Sequence, residues 1–234
     1  MLRYLLTLLL VSQVVVGFAQ MKSKVRGQTP TILLEISPSA NAYKGDLNNS
    51  YAKWGSSIYV GIRFNKKKRV NMNIVAGYGS ISGQKLPTPI PESETKANTF
   101  FKTSMVTTQV NAQINLYRTD FFAVYISQGL GFMRFNPKDA DGNDLILQTE
   151  TREVGESYSN NTVFFPTNLG LIYLFKNGFG AGVKSGIMNP LTDYLDNVSE
   201  LGTKSGRDNI LNVTFSFYAP LEFEHTRKKK KSRR

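Results

Sequence analysis

Apolar and polar residues alternate without interruption from Val106 to Leu116, in the sequence VTTQVNAQINL. Period-two alternation predicts a β-strand with two unlike faces. One face carries Val106, Thr108, Val110, Ala112, Ile114 and Leu116, and the other carries Thr107, Gln109, Asn111, Gln113 and Asn115. The length suits a tilted transmembrane strand, which needs roughly 9–11 residues. The polar face lacks the charged side chains that usually face water, so we predict a hydrogen-bonded lumen. An exposed strand of a sandwich is the alternative.

Seven further segments give eight predicted strands in all. Their ranges are 31–42, 56–64, 70–78, 106–116, 122–132, 163–175, 179–186 and 210–218. The connections alternate between short (65–69, 118–120 and 176–178) and long (43–55, 80–103, 136–161 and 187–209). The Asn177-Gly178 pair in the last short connection is a strong hairpin signal. Alternation of short turns with long loops is typical of outer-membrane barrels.

The predicted fold is therefore an all-β, eight-stranded antiparallel up-and-down transmembrane β-barrel. Its short turns are expected in the periplasm and its long loops outside the cell. Eight strands leave an interior just wide enough for side chains to fill. We expect six side chains to occlude it: Tyr59, Arg63, Gln109, Asn111, Tyr125 and Lys184. Because alternation alone does not show which face is inside, a soluble lipocalin-like binder with an apolar interior remains the alternative.

The N-terminus has the pattern of a secretory signal peptide. Arg3 precedes an apolar run over 5–16, and Gly17-Phe18-Ala19 supplies small residues for cleavage. This predicts a signal peptide over 1–19, a flexible periplasmic lead-in over 20–30, a barrel over 31–220 and a basic periplasmic tail over 221–234. No later stretch has 18 continuous apolar residues, so a helical bundle is excluded and a closed barrel is the remaining membrane-spanning shape. The expected location is the outer membrane.

The formal net charge of +12 is concentrated in two clusters. One is the turn cluster of Lys66, Lys67, Lys68 and Arg69, and the other is the tail cluster of Arg227, Lys228, Lys229, Lys230, Lys231, Arg233 and Arg234. Such a charge can indicate nucleic-acid binding. Both clusters, however, fall on the predicted periplasmic side. We therefore expect contacts with outer-membrane lipid and with an acidic periplasmic protein, and no nucleic acid; solvated turns and tails are the alternative.

Candidate catalytic chemistry is sparse. The chain has no cysteine, and its single histidine, His225, lies in the basic tail. A Ser-His-Asp triad and histidine or thiolate metal sites therefore have no candidate in the loops. Asp193 and Asp196 could form an acid/base pair, although acids in external loops are usually solvated. We predict a protein that is not an enzyme and has no cofactor.

One loop has partial calcium-loop spacing. Asp139, Asp141, Asn143 and Glu150 occupy positions one, three, five and twelve of an EF-hand pattern. The sixth position, which requires glycine for a sharp turn, is Asp144. A plain turn is therefore favoured over a calcium site.

Two short segments carry a family resemblance, namely NAYKGDL over 41–47 and TDYLDNVS over 192–199. They resemble motifs of the Bacteroidota outer-membrane barrel family that includes PorG, a subunit of the type IX secretion and gliding apparatus. The matching residues are Tyr43, Gly45, Asp46, Leu47, Thr192, Asp193, Tyr194, Leu195 and Asp196. The resemblance implies a structural subunit that contacts a periplasmic ring lipoprotein. A free-standing surface barrel, acting in adhesion or envelope integrity, is the alternative.

Elementary chemistry suggests local roles for these motifs. Gly45 would permit a backbone turn, and the carboxylate of Asp46 could accept bonds from nearby amides. Tyr43 and Tyr194 have the amphipathic ring that is favoured at membrane interfaces. A purely structural interpretation of both motifs is favoured over a functional one.

Overall fold

The computed structural model describes residues 30–48, 50–65, 69–85, 97–153, 155–199, 201 and 207–223. Eight strands are present: β1 (Pro30–Lys44), β2 (Trp54–Phe64), β3 (Val70–Gln84), β4 (Phe100–Arg118), β5 (Phe122–Lys138), β6 (Asn161–Leu174), β7 (Gly180–Pro190) and β8 (Asn209–Phe223). Each strand is antiparallel to its neighbours, and β8 pairs with β1 to close the barrel. The predicted eight-stranded up-and-down barrel is confirmed. The predicted signal peptide, residues 20–29 of the lead-in and residues 224–234 of the tail lie outside the described residues.

The two faces of the strands are distributed as the membrane-barrel pattern predicts. In β4 the inward Gln113 side chain is 2% exposed, whereas the outward Leu116 is 62% exposed. The same arrangement recurs in β3 and β8, where Asn73 and Thr214 face inward and Ile74 and Phe215 face outward. The lipocalin-like alternative required the opposite faces and is therefore wrong. Within the described ranges, no helix is long and apolar enough to cross a membrane.

Strand pairing continues beyond the predicted strand ends at one end of the barrel. β3 extends to Gln84, where it pairs with Phe100 of β4, and β5 extends to Lys138, where it pairs with Lys102. The predicted end of β3, near Tyr78, and the predicted start of β4, near Val106, are only the points at which the outward apolar residues stop. Backbone hydrogen bonds do not require apolar side chains, so the ladder persists past that point. We call this end, which carries the long connections, the loop end, and the opposite end the turn end.

The side-chain pattern inverts at the loop end. Between the turn end and the loop end, inward side chains are polar and outward ones are apolar. At the loop end, the inward Met105 and Phe135 are buried, while Ser104 and Lys102 face outward. The inward apolar side chains form one core with residues of the long loops. Its buried members are Tyr43, Leu47, Ile81, Phe101, Met105, Met133, Phe135, Leu145, Phe164, Met188, Leu195, Val198 and Ile210. The loop end is thus closed by a core like that of a water-soluble protein.

The last short connection contains the predicted hairpin turn. Gly178 has a φ of 88°, a value that favours glycine. Its amide donates to the Phe175 carbonyl at 2.9 Å, and the Phe175 amide donates to the Phe179 carbonyl at 2.7 Å. The Asn-Gly signal therefore identified a tight turn between β6 and β7.

Candidate functional site

The two motif segments, 41–47 and 192–199, meet inside the loop end, although about 150 residues separate them in the chain. The hydroxyl of Tyr43, near the end of β1, lies 2.6 Å from the Asp196 carboxylate and 2.6 Å from that of Asp208. The amide of Leu47 donates to the same Asp196 oxygen at 3.1 Å. Tyr43, Asp196 and Asp208 are each fully buried. We call these three side chains the carboxylate cluster.

Backbone amides hold the two carboxylates in place. The amide of Leu195 donates to Oδ2 of Asp208 at 2.9 Å, and the amide of Val198 donates to Oδ1 of Asp196 at 3.0 Å. Asp196 thus accepts bonds from two amides and from Tyr43. Its carboxylate is fully engaged in joining the loop after β7 to the segment after β1.

The carboxylate cluster requires an additional proton. The Tyr43 hydroxyl has a single hydrogen, yet a carboxylate oxygen lies at bonding distance on each side of it. Burial raises the pKa of Asp208 well above its usual range, and the negative charge of Asp196 raises it further. Burial also raises the pKa of Asp196, to about 7. We infer that protonated Asp208 donates to Tyr43 Oη, which in turn donates to Asp196.

Neighbouring loops pack around the cluster. Asn98 donates to the Asp196 carbonyl at 3.0 Å, which ties the segment before β4 to the loop after β7. Asn197 has a φ of 70°, and its side chain donates to Thr151 at 2.8 Å and accepts from Tyr158 at 2.9 Å. The ring of Tyr158 stacks on Tyr194 at a centroid distance of 4.6 Å. Three loops are therefore locked together above the barrel.

Gly45 is required by a close approach and not by a positive φ. A Cβ at this position would overlap Tyr43 Oη and Asp208 Oδ1. Its φ is not among the positive values of the described glycines. The turn expected at Gly45 is present, because its amide donates to the Asn48 carbonyl at 2.9 Å. Glycine is needed there because the backbone passes directly against the hydrogen-bonded pair.

We expect Gly45→Ala to destabilise the folded protein by about 1–3 kcal/mol, since overpacking of a tight site has that typical cost. Denaturant unfolding of the purified barrel in detergent will measure it. Gly142→Ala is the matched control: that glycine has a φ of 90° and open space around it, so only local backbone strain is expected. A loss in Gly45→Ala of less than about 1 kcal/mol would contradict the role assigned to Gly45.

Other motif residues also differ from expectation. Tyr43 was expected at a membrane interface but is fully buried inside the barrel, because odd-numbered residues of β1 point inward. Tyr194 is half-buried in the loop core. The amide of Tyr194 donates to Thr192 Oγ1 at 3.2 Å, and Asp46 is 7% exposed. These positions are structural parts of the loop end.

Asp193 and Asp196 do not form the acid/base pair that their spacing allowed. Asp196 is buried and engaged in the cluster, whereas Asp193 is half-buried and accepts a bond from Ser199 at 3.4 Å. Burial, together with the nearby charge of Asp46, raises the pKa of Asp193 to about 6. The expectation that both acids are solvated was wrong.

A second buried network lies in the lumen toward the turn end. Glu35 is fully buried and accepts from Lys184 at 3.0 Å, while its other oxygen lies 3.6 Å from Arg63 Nε. The Arg63 guanidinium also lies over the rings of Tyr125 and Tyr218 at 4.9 and 5.2 Å. This network fills the lumen with paired charges.

The predicted occlusion of the lumen is confirmed by its six named residues. Tyr59, Arg63, Gln109, Asn111, Tyr125 and Lys184 are each at most 9% exposed. Glu35, the anion that pairs with both cations, was not identified. The signal was available, because Glu35 is an acid within the first alternating segment, on the face that points inward.

The loop over 139–144 is a turn held by its own hydrogen bonds. The carboxylate of Asp139 accepts from the amides of Asp141 and Asn143 at 3.0 and 2.8 Å, and from the side chain of Gln148 at 2.7 Å. These donors occupy the oxygens that a calcium ion would need. In the described ranges, no group of three or more acidic, histidine or cysteine side chains could hold a metal ion.

The described strand ends that border the two basic clusters in the sequence lie at the turn end. β2 ends at Phe64, which pairs with Ile32, and β8 ends at Phe223, which pairs with Pro30. Arg69 is exposed. The remaining predicted contact residues, Lys66, Lys67, Lys68, Lys228, Lys229, Lys230, Lys231, Arg233 and Arg234, lie outside the described residues.

Comparisons with known proteins support the fold. The chain matches no protein-family model and no curated protein sequence. It is similar to the crystal structure of Neisserial surface protein A, with a TM-score of 0.51 and 9% identity over 81% of this chain and 97% of that one. Ail of Yersinia pestis has a TM-score of 0.47 and 10% identity over 81% and 98%. The outer-membrane enzyme PagL has a TM-score of 0.38 and 15% identity over 80% and 99%. The fold is that of small outer-membrane barrels.

Proposed function

We propose that this protein is an outer-membrane barrel that acts as a non-enzymatic structural subunit, similar to PorG, of a type IX secretion or gliding apparatus. In this proposal the barrel anchors the subunit in the membrane. The turn end faces the periplasm, and its basic clusters bind an acidic surface on a ring lipoprotein. The motif resemblance supports the choice of apparatus, and the charge distribution supports the choice of surface.

The filled lumen is the observation that carries the structural role. Two spaces between interior side chains have a volume of only about 10 Å³ each. A cavity needs a volume of about 10–15 Å³ to hold a single water molecule. Neither space therefore has room for a transported solute or an enclosed ligand. A barrel that neither conducts nor encloses a ligand is suited to anchoring a partner.

The outward surface supports the membrane location. Large apolar side chains face outward around the barrel, including Ile58 at 52%, Val110 at 46%, Leu130 at 56% and Leu169 at 57% exposure. Soluble monomers rarely expose a contiguous apolar surface of this extent. Lipid chains would cover it, and the predicted signal peptide would direct export.

The partner can be tested with charge variants in the native host. Glutamine at positions 66–69, combined with deletion of residues 226–234, is expected to leave the barrel in the outer membrane but to remove periplasmic ring lipoproteins from a detergent pull-down. Long-range attraction between exposed charges is weakened by salt, so capture by the unchanged protein should also fall at high ionic strength. Lys44→Gln with Lys53→Gln, at the loop end, is the matched control.

Mass spectrometry of the captured proteins discriminates between two proposals. Unchanged capture of ring proteins by the turn-end variant would contradict the assigned contact surface. Capture of no partner by the unmodified barrel would favour a free-standing surface barrel, the second candidate. That candidate is supported by the extension of β3, β4 and β5 beyond the apolar belt, which builds a structured, water-facing loop end.

A further inference from the structure

The outward surface of β3, β4 and β5 changes character where the apolar belt ends. Tyr78 and Val106 pair across β3 and β4 at the edge of the belt. At the next outward-facing position toward the loop end, Ser80 pairs with Ser104. At the outward-facing position after that, Ser82 pairs with Lys102. Within the described part of the chain, the hydroxyls of these serines have no hydrogen-bond partner. The edge of the belt therefore presents a row of available polar groups.

Two lysines lie directly across from each other in this row. Lys102 of β4 pairs with Lys138 of β5, and Arg134 lies two outward positions below Lys138, opposite Val106. Like charges at directly paired positions destabilise a sheet. Asp144 lies 3.3 Å from Lys138, but no described acid forms an ion pair with Lys102. The arrangement leaves Lys102 as an exposed cation that an external anion would stabilise, beside Lys138, whose ion pair with Asp144 is itself solvent-exposed.

These groups line an open groove of about 760 Å³. Its strand side includes Ser80, Ser104, Lys102 and the apolar side chains of Tyr78 and Ile58. Asp139 and Asp141 line the opposite side. The carboxylate of Asp139 is already satisfied by donors of its own loop, so the strand side supplies the available donors. The strand side of the groove combines the Lys102 cation, hydroxyls and apolar surface, and the carboxylates of Asp139 and Asp141 lie on the loop side.

We propose that this groove binds the phosphorylated headgroup of a lipid in the outer leaflet of the membrane. Lys102 and Lys138 would contact phosphate oxygens, and Ser80 and Ser104 would donate to the same headgroup. Lysine binds phosphate as a point charge, and charge-assisted hydrogen bonds of this kind are among the stronger polar contacts. This inference rests on the proposed outer-membrane location.

The position of the groove selects a lipid over free phosphate. Ile58 and Tyr78 begin the outward apolar belt directly below the serine row, and both are more than half exposed. A bound headgroup at the serines would place its acyl chains along these side chains. Free phosphate would contact the cations but would make no contact with the apolar belt. The lipid therefore satisfies both parts of the surface.

The test uses the full mature chain, purified in detergent and reconstituted into nanodiscs of phosphatidylcholine containing lipid A. Lys102→Gln is expected to weaken lipid A binding about tenfold, the effect of losing roughly 1.4 kcal/mol. Lys102→Gln with Lys138→Gln should weaken it further. Lys176→Gln, an exposed lysine at the turn end, is the matched control and should bind as the unchanged protein does.

Two ligand controls separate the sources of the anion. Lipid A with its phosphates removed should bind the unchanged protein no better than it binds Lys102→Gln. Inorganic phosphate should compete only weakly; competition equal to that of lipid A would overturn the lipid assignment. Unchanged lipid A affinity in an inserted Lys102→Gln barrel would overturn the groove itself. Recovery of the unchanged protein in the soluble periplasm would instead contradict the proposed location.

Discussion

Replacing Glu35 by alanine should lower the free energy of unfolding by about 3–5 kcal/mol, the usual cost of removing one partner from a buried ion pair. Lys184 and Arg63 are at most 8% exposed and would remain in the lumen without their shared anion. Ser37, Ser216 and Asn73 would also lose the acceptor at 3.1 to 3.2 Å. Urea unfolding in lipid vesicles, followed by gel mobility without boiling, will measure the loss.

A double substitution tests the electrostatic cause. Lys184→Met in the Glu35→Ala background should recover part of the lost stability, because it removes one of the two uncompensated cations. Glu222→Ala supplies the matched control, since Glu222 is an exposed acid at the end of β8. Losses that simply add in the double variant would show that packing, and not charge, explains the effect of Glu35→Ala.

The fold could be predicted because one physical rule governs most of each strand. Between Val106 and Leu116 every outward position faces an apolar environment and every inward position a polar lumen, so side-chain alternation follows the backbone pleat. The strand ends could not be predicted in the same way. At Met105 the inward side becomes apolar and the outward side polar, so a search for one constant pattern stops there.

The inversion of polarity at Met105 could have been recognised in the sequence. Phe101 and Met105 of β4, and Met133 and Phe135 of β5, occupy the inward face near the loops. Apolar side chains on that face, beside Lys102 on the other, indicate a strand that has left the membrane and packs against a loop core. Carrying the alternation past Val106 with its polarity reversed would have extended β4 correctly.

The carboxylate cluster was only half predictable. The family resemblance identified Tyr43 and Asp196, but no periodicity indicates that they touch, because the contact depends on how the loop after β7 folds over β1. Asp208 belongs to neither motif and resembles the other acids of its loop. Its burial follows from the Leu195 amide and Tyr43 hydroxyl that surround it, which only the tertiary structure brings together.

Asp208→Asn should make the protein more stable than the unmodified chain at neutral and alkaline pH. The introduced side-chain amide can donate to Tyr43 Oη as protonated aspartate does, and its carbonyl oxygen can accept from the Leu195 amide. Asp196→Asn should instead destabilise at all pH values. Asp196 accepts from Tyr43, Leu47 and Val198, and an amide nitrogen would face at least one of these donors.

The sign of the pH dependence follows from the raised pKa of Asp208. Below the ordinary pKa of 3.8, aspartate is protonated in both the folded and the unfolded chain. As the pH rises above that value, the unfolded chain releases its proton first, and the folded state loses up to about 1.4 kcal/mol per pH unit relative to it until the buried group also ionises. All other titrating groups are shared by the unmodified protein and Asp208→Asn, and among them Asp196 titrates together with Asp208 as a pair. The difference in unfolding midpoint between the two, measured in detergent from about pH 4 to about pH 9, therefore reports the proton held by the pair. A constant difference would mean that the pair holds no proton in the folded protein, whereas a difference that grows with pH would show that the cluster retains one.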